Sequence, residues 1–209
     1  TRFPHDGADI WAVVVNAGAP VPSAGGTLTT RPADPARDIV VGDASLAATY
    51  PDALYVGNAA LGALVPGFQA ITIGSGAADE IIRVSGVTNP VQVADPLVLY
   101  ATGAGSQVVL HGTVSGGALT VLGSGTGTTP SAATLQVQGA VDVNDRFLVD
   151  GSVQVAAGLG GKAGDITFRG AVDAVAGGAA DSLVLSGQGG SVTFGGAVGA
   201  GTALDALQV

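Results

Sequence analysis

The chain has 209 residues, of which 35 are glycine, 47% are hydrophobic and 11% are charged, and its formal net charge at pH 7 is −9. The few basic residues are scattered singly, which argues against a nucleic-acid partner, and the absence of cysteine excludes disulfides and thiolate metal sites within the chain. No apolar run reaches the roughly 18 residues that span a bilayer, so we expect no membrane insertion. With so few charges to solvate helix surfaces, the β-branched residues and frequent glycines favour many short strands.

The beginning of the chain is less regular than the rest. We predict an irregular N-terminal segment or insertion over residues 1–36, in which DIWAVVVN (9–16) forms a strand and the Pro-rich PVPSAGG (20–26) forms a loop. RPADPARD (31–38) predicts a second loop. Because Thr1 stands where a start methionine is expected, we interpret the sequence as a fragment of a longer protein.

The next stretch combines a strand with a short helix. RDIVVGD (37–43) has the composition of a strand. NAALGALVPG (58–67) predicts one or two helical turns, because Ala and Leu favour helix, and Pro66 and Gly67 would end them. We interpret this helix as a decoration on a β fold rather than as a separate domain.

From residue 108 onward one strand pattern recurs: apolar, any, apolar, any, glycine, any, valine. Side chains that alternate with period two face opposite sides of a strand, so the pattern predicts strands with one buried face. Two related copies, LTVLGSG (119–125) and LVLSGQG (183–189), lack the final valine. The five full copies are VVLHGTV (108–114), LQVQGAV (135–141), FLVDGSV (147–153), ITFRGAV (166–172) and VTFGGAV (192–198).

Two longer segments near the end are repeated almost unchanged. GDITFRGAV (164–172) returns 26 positions later as GSVTFGGAV (190–198), and AADSLVL (179–185) matches ALDALQV (203–209) with an offset of 24. A loop of variable length between strands in register explains the change of offset. The chain therefore repeats a unit of about 24 residues, and periods of this length are typical of solenoids, propellers and arrays.

The repeat predicts an all-β fold, a right-handed parallel β-helix with about 24 residues per coil over residues 37–209, as part of a longer array. Helical repeats would need apolar residues about 3.6 positions apart, and a propeller blade needs about 40 to 50 residues. In a β-helix the inward residues of successive coils stack, so we expect Ile166 beside Val192 and Phe168 beside Phe194. The glycine after each strand would supply a corner.

Few side chains have the chemistry of a catalytic or metal site. The histidines are His5 and His111, and His111 is predicted at an outward or corner position with no second metal ligand spaced nearby. No Ser-His-Asp triad can be assembled. We therefore predict no catalytic residues, no cofactor, no metal ligands and no enzymatic activity.

The stretch DVNDRFLVDG (142–151) leaves a calcium site as an alternative, because oxygen-rich turns can hold Ca²⁺. The spacings of EF-hands and of calcium β-rolls are absent, so turn chemistry is the simpler interpretation. The oxygen-bearing side chains are Asp142, Asn144, Asp145 and Asp150.

Two further alternatives concern the outer surface. Asp79, Glu80 and Asp95 form a second acidic group, of the kind with which β-helical polysaccharide lyases and hydrolases cut, although only 4% of the residues are aromatic for sugar stacking. An ice-binding face would use outward threonines, but paired Thr-x-Thr rows are missing and threonine is common on exposed strands. The threonines predicted to point outward are Thr72, Thr120, Thr167 and Thr193.

An ordered series of segments resembles the giant, repetitive bacterial surface proteins of the filamentous haemagglutinin-like adhesin type. The series begins with PGFQAITIGSG (66–76) and ADPLVLY (94–100) and continues with the two copies at 164–172 and 190–198. The resemblance covers about residues 37–209, and it is poor over the first 36.

This resemblance implies export from a Gram-negative bacterium, an extracellular location at the cell surface, and a β-helical stalk or fibre with an adhesive or structural task. Expected partners are neighbouring coils of the same or an identical chain, stacked end to end, and host or cell-surface glycans. A β-helical carbohydrate-active enzyme or carbohydrate-binding module is the alternative function.

Overall fold

The structure, a computed structural model, describes residues 26–76, 79–178 and 180–209. Short strands predominate in these ranges, and two short helices, α1 (Ala44–Thr49) and α2 (Asn58–Gly62), lie near their beginning. The strands are β1 (Thr27–Thr30), β2 (Ile39–Gly42), β3 (Leu54–Gly57), β4 (Ala70–Ile73), β5 (Ile81–Val93), β6 (Leu97–Ala101), β7 (Gln107–Gly116), β8 (Leu119–Gly123), β9 (Thr128–Val137), β10 (Val141–Asn144), β11 (Phe147–Val149), β12 (Ser152–Ala157), β13 (Ile166–Phe168), β14 (Val172–Ala174), β15 (Ser182–Gly187), β16 (Val192–Phe194) and β17 (Ala206–Gln208).

The strands form two sheets, and the predicted all-β class is confirmed. The first sheet has seven strands in the order β1-β4-β6-β8-β10-β13-β16. The second has ten strands: β17-β15-β12-β9-β7-β5-β2-β3 form the main path, β11 pairs with β9, and β14 pairs with β11. The pairs along both sheets are parallel, and most neighbouring strands come from successive passages of the chain through the two sheets. From β4 onward the chain alternates between the sheets, with β11 and β12, and later β14 and β15, as consecutive strands of the second.

Inward side chains from both sheets form one hydrophobic core. The two predicted stacks are confirmed, because Ile166 pairs with Val192 and Phe168 pairs with Phe194 in the register of β13 and β16. Phe168 lies between two rings, with centroids 4.7 Å from Phe147 and 5.6 Å from Phe194. Burying such a side chain is worth about 1.5 to 3 kcal/mol, so a continuous column of them stabilises the stack.

The five copies of the strand pattern occupy different places in the fold. The copies at 166–172 and 192–198 lie beside each other: each begins in the first sheet, as β13 and β16, and Val172, the first residue of β14 in the second sheet, bridges to Val198. The copy at 108–114 lies within β7 of the second sheet, whereas the copy at 135–141 runs from the end of β9 into β10 of the first. The pattern therefore marks a strand segment, which in the copy at 108–114 continues past the glycine, and only the longer repeat marks the stacking unit.

Glycines of this pattern serve two different needs. Gly112 has φ +73, a conformation that residues with a Cβ avoid. Gly196 is required by proximity, because a Cβ there would lie 2.5 Å from the carbonyl carbon and oxygen of Gly170 in the neighbouring passage. Gly196 lies in a bend after β16 and fits the predicted corner, whereas Gly112 lies within β7, at a register shift between β7 and β9.

The predicted helix within residues 58–67 is confirmed as α2, but it ends at Gly62 rather than at Pro66. The helix α1 between β2 and β3 was not predicted, and none of its residues is buried. No helix among the described residues has the length and apolar character needed to cross a membrane.

The segment before residue 37 is described only from residue 26. The predicted strand over residues 9–16 lies outside the described residues. The strand β1 pairs in parallel with β4, so the first sheet extends into this segment. The predicted loop RPADPARD falls between β1 and β2, as expected, and β2 confirms the strand predicted within residues 37–43.

Candidate functional site

The acidic side chains of residues 142–150 bind separate partners. The Asp142 carboxylate accepts two bonds from the Arg169 guanidinium, from Nε to Oδ1 at 2.9 Å and from Nη2 to Oδ2 at 2.6 Å. The Asp150 carboxylate accepts a bond of 2.7 Å from the Ser131 hydroxyl. Across residues 26–76, 79–178 and 180–209, no group of three or more His, Cys, Asp or Glu side chains is placed to hold a metal ion. The calcium alternative therefore gains no support.

Asp145, the third carboxylate of this stretch, is a buried structural group, whereas its neighbour Asn144 is exposed. Its oxygens accept bonds from the Gly125 N–H at 2.8 Å and from the Thr128 hydroxyl at 3.0 Å, both in the preceding passage of the chain. Burial raises the pKa of Asp145 above its ordinary value, although these bonds and one from the Arg146 N–H oppose the shift. The carboxylate therefore fixes one passage of the chain to the next.

Glu80, the one glutamate, is completely buried. Its Oε2 accepts bonds from the Ser75 N–H at 3.0 Å and from the Ser75 hydroxyl at 2.8 Å, whereas its Oε1 is buried with no hydrogen-bond partner among the described residues. Burial is the main reason that the pKa of Glu80 is raised, and the nearby charge of Asp38 adds to the effect. A group buried in this way has no access to a substrate.

The other candidate residues also have surroundings that do not suggest catalysis. Asp95 is buried, and its two oxygens accept bonds of 2.9 to 3.1 Å from the N–H groups of Gly67 and Phe68. Asp79 is exposed in a turn with φ +62. His111 is an exposed residue of β7, as predicted, and His5 lies outside the described residues.

Sequence reasoning missed the common task of the aspartates, which is to bind backbone N–H groups in a neighbouring passage of the chain. Asp43 is buried and accepts bonds from Thr88 N–H at 2.9 Å, Asn89 N–H at 3.1 Å and the Ser85 hydroxyl at 3.0 Å. Burial alone would raise its pKa, but these bonds outweigh burial and the pKa is lowered. The same kind of bond is made by Asp95, Asp145, Asp165, Asp173, Asp181 and Asp205.

The outward threonines lie in one row across the first sheet, as the register between adjacent strands shows. Thr167 pairs with Thr193 and with Asp142, and the row continues strand by strand towards β1. Two positions of this row are not threonine: they are Val98 and Asp142. The members in strand order are Thr29, Thr72, Val98, Thr120, Asp142, Thr167 and Thr193.

A broader polar surface covers one half of the second sheet. It consists of two adjacent outward rows, separated by the buried residues Val114, Leu135, Val155 and Leu185. We call it the hydroxyl–amide face. One row is Thr113, Thr134, Gln154, Val184 and Gln208, and the other is Gln92, Ser115, Gln136, Ala156 and Ser186.

Comparisons with known proteins do not assign the chain to a family. No protein-family model, no curated protein and no solved structure matches the chain. The resemblance to filamentous haemagglutinin-like adhesins therefore remains an expectation from the sequence. The stacked strands and the side chains on their outer faces are the features that bear on the function of the chain.

Proposed function

We propose that the two sheets are walls of one right-handed parallel β-helix with about 24 residues per coil. The observation that carries the proposal is that the chain alternates between two parallel sheets over one shared core. Crossovers between parallel strands are right-handed in nearly all proteins, which supports the handedness. In this arrangement each passage through both sheets is one coil.

The proposed task is structural: a rigid stalk or fibre element with adhesive capacity in a large secreted protein of a bacterial surface. Rigidity follows from the interactions between passages, since backbone ladders, stacked core side chains and the aspartate bonds all cross from one passage to the next. The extracellular location rests on the sequence resemblance. An enzymatic alternative has no comparable support among the described carboxylates, of which Glu80 and Asp95 are buried.

End-to-end stacking is part of this proposal. Among the described residues β16 pairs with β13 alone and β17 with β15 alone, so each has one free edge. Leu207 is 43% exposed and Val209 is 71% exposed beside these edges. A free edge with apolar side chains is a template for another parallel strand with the same pattern.

Solution X-ray scattering over a concentration series tests the proposal. We expect a constant cross-section and a longest dimension that grows with concentration, because coils add along one axis. A particle whose cross-section widens on association would contradict the stalk. Assays against a panel of polysaccharides form the second arm, and robust depolymerisation would replace the structural function by the enzymatic one.

A further inference from the structure

The hydroxyl–amide face differs from the aspartates because, among the described residues, its side chains have almost no hydrogen-bond partners. Most described aspartates are hydrogen-bonded to backbone groups, but the side chains of the four glutamines of the face form no hydrogen bond to any described residue. Of the hydroxyls of the face, that of Ser115 alone has a partner within the described part of the chain, the Val91 carbonyl at 3.5 Å. The four glutamines are Gln92, Gln136, Gln154 and Gln208.

The arrangement of the rows keeps the amides free. Gln136 lies between Ser115 and Ala156 in its row, and Gln154 lies between Thr134 and Val184. With short neighbours on both sides, the amides form no ladder along a row, and the diagonal neighbours Gln136 and Gln154 are not bonded to each other. Glutamines of one row are two strands apart, which corresponds to roughly 10 Å at the usual strand spacing. Each amide therefore presents two N–H donors and a carbonyl acceptor to the surroundings.

Charge is absent from all ten positions of the face, although the chain carries a net charge of −9. A polyanion would be repelled by the whole molecule, and a cationic ligand would find no counter-charge on this face. The surface therefore fits a neutral ligand with many hydrogen-bonding groups.

The side chains also argue against a protein partner. The centres of protein–protein interfaces are enriched in aromatic residues, methionine and arginine, and none of these occurs at the ten positions. Serine and alanine, which are depleted at such interfaces, do occur there, as Ser115, Ser186 and Ala156.

We propose that the hydroxyl–amide face binds a neutral linear polysaccharide that lies across the strands, a proposal that rests on the adhesive part of the proposed function. Sugar hydroxyls both donate and accept, as do the threonine, serine and glutamine side chains of the face. The face repeats from strand to strand, so a polymer contacts several strands at once. Without an aromatic platform each sugar contributes little, and affinity accumulates with the length of the polymer.

The test is co-sedimentation with insoluble neutral polysaccharides, namely cellulose, chitin and mannan, in parallel with gels of alginate and pectate. Two variants disrupt the face: Thr134→Glu introduces a charge at its centre, and Gln136→Ala with Gln154→Ala removes two amides. The matched control is Thr193→Glu, an exposed threonine on the outward row of the first sheet. Circular dichroism and thermal melts verify that each variant is folded.

We expect the wild type to be retained by at least one neutral polysaccharide and not by the acidic gels. Retention should fall about tenfold or more in both face variants and remain unchanged in Thr193→Glu. If the face variants bind as well as the wild type, the inference is wrong. The protein would then still bind polysaccharide, but through another surface. Retention by none of the neutral polymers also overturns the inference, while the scattering test of the stalk is unaffected. Self-association that Thr134→Glu abolishes would make a second copy the occupant instead.

Discussion

Fifteen of the sixteen acidic residues are aspartates, and the environment of those that the structure describes explains the preference. An aspartate carboxylate lies close to its own backbone and reaches the N–H groups of the adjacent passage, such as Gly151 N–H at 2.7 Å from Asp181. A longer side chain would lose more rotamer freedom on making the same bond. The negative charge of the chain is therefore largely a by-product of its internal hydrogen bonds.

Replacing Asp145 with alanine should lower the free energy of unfolding by about 2 to 4 kcal/mol, since it leaves several donors, one of them a buried hydroxyl, without their acceptor. Among these donors are the Gly125 N–H and the Thr128 hydroxyl. Urea denaturation provides the measurement. The control is Asp52→Ala, which removes an exposed carboxylate and should change stability by no more than about 0.5 kcal/mol. Equal effects of the two substitutions would refute the structural role of Asp145.

The raised pKa of Glu80 predicts a pH dependence with a definite sign. Folded Glu80 holds its proton more tightly than the unfolded chain, whose group titrates near 4.5, so the wild type loses stability as pH rises from that value through the folded pKa. The variant Glu80→Gln does not ionise. The unfolding free energy of Glu80→Gln, relative to that of the wild type, should therefore increase as pH rises through this window. The increased difference should persist at pH 7.

Urea midpoints of both proteins between pH 4 and pH 8 measure this gain. Asp52→Asn serves as the control, because it removes one exposed carboxylate elsewhere. A constant difference between the wild type and Glu80→Gln at all pH values would show that Glu80 does not titrate as proposed.

At the scale of the element, each strand supplies a short alternating segment whose inward residues stack on those of its neighbours. Phe168 and Phe194 illustrate this, since they are paired in the register of β13 and β16 and their rings are stacked at 5.6 Å. Phe147 contacts Phe168 from β11 of the second sheet, with its ring tilted by 53°. Phe168 is completely buried, whereas Phe194, on the outer strand β16, is only partly buried. The contribution of a phenylalanine to the free energy of unfolding thus depends on whether its strand has a neighbour on both sides.

Phe168→Ala is expected to cost about 3 to 5 kcal/mol, because it leaves a cavity between two rings. Phe194→Ala should cost clearly less, since its ring already contacts solvent and the site can collapse. Thermal and urea unfolding of the two variants measure the difference. Equal losses would mean that the end of the stack is as well covered as its centre.

At the scale of the whole molecule, the fold is a series of passages in which each contacts its neighbours in the stack. Stability in such a series is the sum of local terms and nearest-neighbour terms, so a strand with a single neighbour is the least stable. The middle strand β9 pairs with strands on both sides, whereas β17 pairs with β15 alone.

Hydrogen exchange should reflect this gradient. The backbone amides of β7 and β9 are expected to exchange slowly, and those of β16 and β17 much faster, because opening the outer passage breaks one interface instead of two. Exchange followed by mass spectrometry of peptic fragments gives the comparison. Uniform protection from β9 to β17 would indicate one indivisible cooperative unit.

The sequence by itself determined the all-β class, the burial of alternate residues and the partners in the closing repeat, because period-two alternation and near-identical segments encode these directly. Ile166 and Val192 are adjacent as predicted, and so are Phe168 and Phe194. The helix α2 was foreseen, but its end was displaced from Pro66 to Gly62.

The tertiary structure alone decided which passages lie side by side elsewhere and what the polar residues do. Offsets between paired strands vary: Thr134 and Gln154 are 20 positions apart, whereas Ser152 and Ser182 are 30 apart. No fixed period therefore reveals the row to which an outward residue belongs. The aspartate bonds and the hydroxyl–amide face both join residues of different passages. Their formation depends on parallel register, which loop lengths set and which a local pattern does not contain.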